Sequence, residues 1–292
     1  VTGPATAPDG VRRAAVLGSP IAHSLSPTLH RAAYEALGLT RWRYDAIEVA
    51  EDGMAAFLAG LDPSWAGLSL TMPLKRVVRP LLAAESDLAR AVGAVNTVTF
   101  GPAGPVGDNT DVHGIVAALA EAGVRSAGTA AVLGGGATAC SAVAALRDLG
   151  VRAPRVHVRS AGRSGDVVAA GERLGLDVRL AGLDAADVVS AAPAVVVSTL
   201  PAGAADALAD ALAAGLVAPA VRDGAPPPVL LDVVYAPWPT ALARAWVGAG
   251  GPVVSGLAML LHQAAEQVRL MTGLEPPVPA MRAAVEAEVA RR

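Results

Sequence analysis

Along the whole chain, short and wholly apolar runs alternate with longer segments in which apolar residues recur at helical spacing. The runs at 129–133, 155–158, 194–199 and 229–234 show little polar alternation, which predicts strands buried on both faces of a parallel sheet. Earlier strands are predicted at 13–18, 42–49, 67–71 and 95–100, with helices near 27–37, 52–61 and 76–84. Gly101-Pro-Ala-Gly-Pro105 reads as a turn and Gly224-Ala-Pro-Pro-Pro228 as a surface loop. A helical run from Asp111 to residue 122 precedes the strand at 129–133, and an Ala-rich helix over 138–149 follows the glycine cluster. Helices near 257–272 and 279–291 close the chain, with no internal repeat or low-complexity tract along it.

This alternation predicts an α/β protein, and 292 residues suffice for two buried cores. Residues 111–254 read as a Rossmann-like dinucleotide-binding domain, opened by a strand, a glycine turn and a helix. Residues 1–110, completed by helices within 255–292, form an α/β substrate domain, with a cleft expected between the two.

Composition narrows the class of function. The chain is 53% hydrophobic with few aromatics, and its net charge of −3 provides no basic face for nucleic acid. Two uncharged stretches, 126–146 and 245–265, have the length of a membrane span, but Gly134-Gly135-Gly136 breaks the first and Gly248-Ala-Gly-Gly-Pro252 the second. The N-terminal ten residues lack a basic start followed by an apolar core and read as a loose tail, so the expected location is cytoplasmic. The single cysteine, Cys140, allows no internal disulfide and reads as a small core residue. His23, His30, His113, His157 and His262 show no metal-ligand spacing, so no metal is expected.

The rare polar residues gather in a few motifs. Lys75 is the only lysine against 22 arginines, in Ser69-Leu-Thr-Met-Pro-Leu-Lys75. Arginine keeps its proton at any relevant pH, whereas lysine can exchange one, so this position points to proton chemistry. The only asparagines are Asn96, in Gly93-Ala-Val-Asn-Thr97, and Asn109, in Gly107-Asp-Asn-Thr-Asp111. Lys75, Asn96 and Asp111 are expected at C-terminal ends of strands or in the loops beyond, where open α/β sheets place ligands. A carboxylate fixing a lysine would let the pair pass a proton to a carbonyl oxygen as hydride arrives; an ordinary salt bridge remains the alternative.

Two further sites read as anion binders. Gly134, Gly135, Gly136, Ala137 and Thr138 open a helix after a strand, where backbone N–H groups would meet a pyrophosphate; a plain connecting turn is the alternative. Arg159, Ser160 and Arg163 stand where an NAD-preferring fold carries an acid, so they suit the 2′-phosphate of NADP, unless they are a solvated helix start. In Gly18-Ser-Pro-Ile-Ala-His-Ser24-Leu-Ser26-Pro27, Ser26 reads as an N-cap with Pro27 as first helical residue. Ser24 is left over, and the two hydroxyls at a helix start would hold a carboxylate.

Together these motifs, with the late Ser255-Gly256-Leu-Ala-Met259-Leu-Leu-His-Gln263-Ala, resemble the signatures of the shikimate dehydrogenase family, in order and over nearly the whole chain. The resemblance implies NADPH-dependent reduction of 3-dehydroshikimate to shikimate, in the route to aromatic amino acids, by a monomer or homodimer. It makes Lys75 and Asp111 the catalytic pair, and Ser24, Ser26, Thr71, Asn96, Tyr235 and Gln263 substrate-binding groups. The Gly134 turn, Arg159, Ser160, Thr199, Gly256 and Met259 would contact NADP. This chain departs from the family pattern at Ser69, where Asn is frequent, at Val112 for Gly, at Val158 for Asn and at Ser255 for Asp. Quinate or aminoshikimate dehydrogenation on the same fold is the alternative, and a non-catalytic dinucleotide-binding regulator a more distant one.

Overall fold

The computed structural model describes residues 10–160, 162 and 164–292. The N-terminal tail before Gly10 and the anion-site candidate Arg163 lie outside the described residues. The chain divides into two compact units: one runs to Thr110 and resumes over Leu260–Arg292, the other is Asp111–Met259.

The first unit follows the order β1 (Arg12–Gly18), α1 (Ser26–Ala36), β2 (Trp42–Glu48), α2 (Met54–Ala59), β3 (Trp65–Leu70), α3 (Leu74–Val77), β4 (Ala84–Glu85), α4 (Asp87–Val92), β5 (Thr97–Gly101) and β6 (Gly104–Asp108). Its sheet has the order β2-β1-β3-β5-β6-β4, parallel from β2 to β3 and antiparallel through β5 and β6. Alternate residues of β1 enter different cores: Ala15 and Leu17 pack with Met54, Leu68 and Leu74, while Ala14 and Val16 pack with Tyr34, Tyr44 and Met271. A strand apolar on both faces needs such double cover.

The turn expected over Gly101–Pro105 is present as the tip of the β5–β6 hairpin, whose second strand was not expected. Strand β6 is Gly-Pro-Val-Gly-Asp, whose single β-former leaves no pattern to read. The helix expected near 76–84 is one turn of α-helix, a 3₁₀ turn at Arg79–Leu81, then a strand, because Pro80 supplies no N–H to continue it.

The second unit holds α5 (Asp111–Glu121), β7 (Ala130–Leu133), α6 (Ala137–Asp148), β8 (Arg155–Val158), α7 (Gly165–Arg173), β9 (Arg179–Gly182), α8 (Ala185–Ser190), β10 (Val195–Ser198), α9 (Ala209–Leu212), α10 (Ala218–Arg222), β11 (Val229–Asp232), α11 (Ala241–Gly248) and β12 (Val253–Ser255). The sheet is wholly parallel in the order β9-β8-β7-β10-β11-β12. In order of appearance that is the dinucleotide-binding arrangement, with strand order reversing between β7 and β10. Edge strands β9, largely exposed, and β12, three residues long, escape the apolar pattern. Two helices complete the chain: α12 (Gly256–Thr272), whose residues from Leu260 belong to the first unit, and α13 (Val278–Arg291).

Candidate active site

In the first unit, β5 runs antiparallel to β3 with Thr97 opposite Ser69. Asn96 therefore precedes a strand rather than following one, a correction to its expected place. The reversed direction of β5 nevertheless brings it to the edge where β3 ends. There the Leu70 amide donates to the Asn96 carbonyl at 2.7 Å, and the Asn96 amide to the Asp108 carbonyl at 3.0 Å. Lys75, half-buried on α3, is tied in through its main-chain oxygen, which accepts from the Val95 amide at 2.8 Å. Thr71 joins the same edge by donating its amide to the Leu17 carbonyl at 2.9 Å.

Ser26 is not the N-cap of α1. Leu25 occupies the cap position in a helical conformation, Ser26 is the first helical residue and Pro27 the second. The Ser24 hydroxyl accepts from the Ser26 amide at 3.3 Å, so Ser24 serves the helix's first unpaired donor. The Ser26 side chain is buried beside the Tyr44 hydroxyl. A proline is tolerated in that first turn because its missing N–H has no helical partner to lose.

The Asn96 side chain is buried and hydrogen bonded at both ends. Its Oδ1 accepts from the Thr110 amide and the Thr97 hydroxyl, each at 2.8 Å, while Nδ2 reaches Thr110 Oγ1 at 3.0 Å and Gln263 Oε1 at 3.4 Å. Asn109 donates to the Ala94 carbonyl at 2.8 Å and so fixes the turn that leads to Asp111. Asp111, buried, opens α5, where the helix dipole favours a carboxylate.

The motifs did not single out the neighbours that complete this network. Tyr44 donates to Ser69 at 2.6 Å, Ser69 donates to Gln267 at 2.8 Å, and His30 Nε2 lies 3.2 Å from the same Gln267 oxygen. His30 stacks on Tyr44 with ring centroids 3.9 Å apart. Burial pushes its imidazole down to about 3, against the smaller upward pull of the Gln267 bond, so the ring is neutral. Burial likewise raises the Tyr44 hydroxyl, keeping it a donor. One signal for Gln267 was available in the sequence, since the chain contains only two glutamines.

In the second unit, the Gly134 turn and Thr199 meet where the strand order reverses, while Arg159 and Ser160 follow β8 and Gly256 and Met259 follow β12. Thr199, just past β10, donates both amide and hydroxyl to the Leu133 carbonyl at the end of β7, at 2.8 and 2.9 Å. Gly134 has φ +110°, and a Cβ there would lie 2.6 Å from Thr199 Oγ1. Gly136 caps α6 with no side-chain bond, so the first N–H groups of Ala137 and Thr138 are presented by backbone alone. Gly135 lies in the same turn, and Arg159 and Ser160 are exposed just past β8. Gly256 sits so close to the Val233 carbonyl that a Cβ would come within 2.1 Å of its oxygen, and Met259 is buried one turn later.

Tyr235 lies in the segment after β11 that Asp232 organises. The Asp232 carboxylate accepts from Thr240 at 2.7 Å and from the Val234 amide at 3.3 Å. Burial raises this acid, and the hydrogen bonds from Thr240, Val234 and Ser198 oppose that rise. An exposed arginine past β8, a tight glycine turn and an uncapped helix start together fit a phosphorylated dinucleotide.

Comparison with known proteins agrees with this geometry. The family model described as the shikimate dehydrogenase substrate binding domain matches residues 16–98, and that of the shikimate 5′-dehydrogenase C-terminal domain matches residues 256–286. The shikimate dehydrogenase (NADP(+)) of Halobacterium salinarum is 38% identical over 286 residues, covering 94% of this chain and 98% of that protein. The crystal structure of Mycobacterium tuberculosis shikimate dehydrogenase is 43% identical, with a TM-score of 0.84 over 94% of this chain and 99% of that one. Quinate dehydrogenase from Corynebacterium glutamicum, solved with NAD, is 27% identical with a TM-score of 0.78, over 95% and 99% of the two chains.

Proposed function

This chain belongs to the shikimate dehydrogenase family, and on that footing we propose that it catalyses the NADP-dependent interconversion of 3-dehydroshikimate and shikimate. The first unit takes the substrate and the second the cofactor. NADPH, when bound, supplies the hydride. Lys75 Nζ gives a proton to the ring carbonyl oxygen as it becomes an alkoxide, and recovers one in the reverse direction. Asp111 orients Lys75 and accepts from a substrate hydroxyl, while Ser24 and Ser26 hold the substrate carboxylate at the start of α1. Thr71, Asn96, Tyr235 and Gln263 bind the remaining oxygens of the substrate. Gly134, Gly135, Gly136, Ala137 and Thr138 hold the pyrophosphate, Arg159, Ser160 and Arg163 the 2′-phosphate, and Thr199, Gly256 and Met259 the nicotinamide half.

One observation supports this reading above the rest: Lys75 and Asp111 are both referred to Asn96. The Lys75 carbonyl holds Val95, and Thr110, next to Asp111, holds the Asn96 side chain.

The match to a quinate dehydrogenase favours a second reading, quinate with NAD, on the same residues. Steady-state turnover of shikimate, quinate and aminoshikimate with NADP and with NAD decides between them. The expected order places shikimate with NADP first. Faster turnover of quinate with NAD would select the second reading, and absence of all turnover would leave a dinucleotide-binding regulator.

A further inference from the structure

The chain contains four side-chain carboxamides in all, Asn96, Asn109, Gln263 and Gln267. Each is no more than 7% exposed, and each lies in the first unit. A buried carboxamide is unfavourable unless its oxygen and both its hydrogens find partners. In a chain this poor in amides, the survivors mark positions where two-sided hydrogen bonding is needed. Three of them, Asn96, Gln263 and Gln267, form one connected network.

Main-chain groups fix the direction of every bond in it. The Asn96 carbonyl can only accept, so the group facing it at 3.2 Å is the Gln267 nitrogen. That places the Gln267 oxygen toward Ser69 at 2.8 Å and His30 Nε2 at 3.2 Å, both of which donate. The Gln267 nitrogen also donates to Thr97 Oγ1 at 3.0 Å, which turns the Thr97 proton toward Asn96 Oδ1 at 2.8 Å. The Thr110 amide, another obligate donor, reaches the same oxygen at 2.8 Å. The oxygen end of Asn96 is thus occupied, and its NH₂ donates one hydrogen to Thr110 Oγ1 at 3.0 Å and turns the other toward Gln263 Oε1, whose long 3.4 Å contact is the one a ligand oxygen would replace.

We propose that Gln267 is a positioning residue of the substrate site, holding the Asn96 side chain so that it meets the ligand as a hydrogen-bond donor. The inference rests on the reading above, in which Asn96 contacts shikimate. The substrate oxygen at Asn96 must then accept a hydrogen bond, and an analogue presenting only a donor there binds poorly. Gln267 never touches the substrate. It acts through the main chain at Asn96 and through the Thr97 hydroxyl, and it shares α12 with Gln263 one turn away.

The test compares Gln267→Met and Thr97→Val with the unmodified protein. Steady-state kinetics give kcat and KM for shikimate, and titration gives the NADP dissociation constant. Because only four carboxamides exist, their NH₂ proton pairs are resolvable by ¹⁵N NMR. Expected are a rise in shikimate KM of roughly three- to tenfold for Gln267→Met, a smaller rise for Thr97→Val, unchanged NADP binding, and displacement of the Asn96 NH₂ pair in both. A role in packing alone would lower the melting temperature and leave the KM and the Asn96 pair where they were, and either result overturns the proposal. Should Gln267→Met fail to fold, Thr97→Val decides by the same two readings. An unmodified protein without shikimate turnover would refute the function proposed above, while the Asn96 pair would still report on the relay.

Discussion

At the candidate substrate edge of the first unit, Asn96, Gln263, Gln267, Ser69 and Tyr44 meet as buried side chains whose hydrogen bonds join β2, β3 and α12 to the residue before β5. At the ligand edge of the second, Leu133 to Thr138 offers turns, main-chain amides and the absence of side chains. On the reading proposed above, the first unit binds through what its residues carry, and the second through what they lack. Damage to the two should therefore take opposite forms: removal of a functional group in one, addition of a methyl group in the other.

The largest effect is expected in the first unit. Lys75→Arg keeps the charge and removes the exchangeable proton, so kcat should fall by roughly 10²–10⁴ while shikimate still binds. Near-normal turnover would reduce Lys75 to a charge anchor. Next comes its counterpart in the second unit, Gly134→Ala. With φ at +110° and Thr199 Oγ1 at 2.6 Å from the new Cβ, the turn must deform. A strained backbone of this kind costs about 1–3 kcal/mol. Isothermal titration should show NADP affinity weakened roughly five- to a hundredfold, with shikimate affinity unchanged. If both ligands weaken alike, the contrast between the units fails.

The smallest effect reads the burial of the first unit's polar groups. His30 stays neutral in the folded protein down to about pH 3, whereas the unfolded residue takes up a proton below its ordinary 6.5. Between these values the unfolded chain holds more protons, so stability is lost as the pH falls, by about 1.4 kcal/mol at pH 5.5. His157, also lowered by burial, acts in the same direction, and Asp232, raised by burial, in the opposite one. Urea unfolding at pH 7 and pH 5.5 should show that His30→Phe loses less stability on acidification than the unmodified protein. Equal losses would mean that His30 is protonated in the fold.

The same contrast explains how much of the molecule was legible in its sequence. Lys75, Asn96 and Asp111 stand out in the sequence because they are scarce polar types in short motifs, and a site made of side chains shows in residue identity. The glycines at 134–136 are three among 31, and only their place between an apolar strand and a helix gave them meaning. Strand β6 stayed hidden because its pairing is all main chain, and Gln267 because its partners, His30, Ser69 and Thr97, lie far from it in sequence. Ser26 misled because hydroxyl-before-proline is a capping signal, whereas Leu25 takes the cap and Ser26 is already the first helical residue.

The scarcity of carboxamides also bears on how this protein ages. Asparagine and glutamine are among the residues that heat degrades, and deamidation turns an NH₂ into an oxygen. At Asn96 that single change would replace a donor by a negative acceptor facing Gln263 Oε1. All four carboxamides are buried and held by hydrogen bonds, so the reaction has four shielded targets in 292 residues. The groups proposed to orient the substrate are thus also those whose slow chemical decay would mark the end of the molecule's working life.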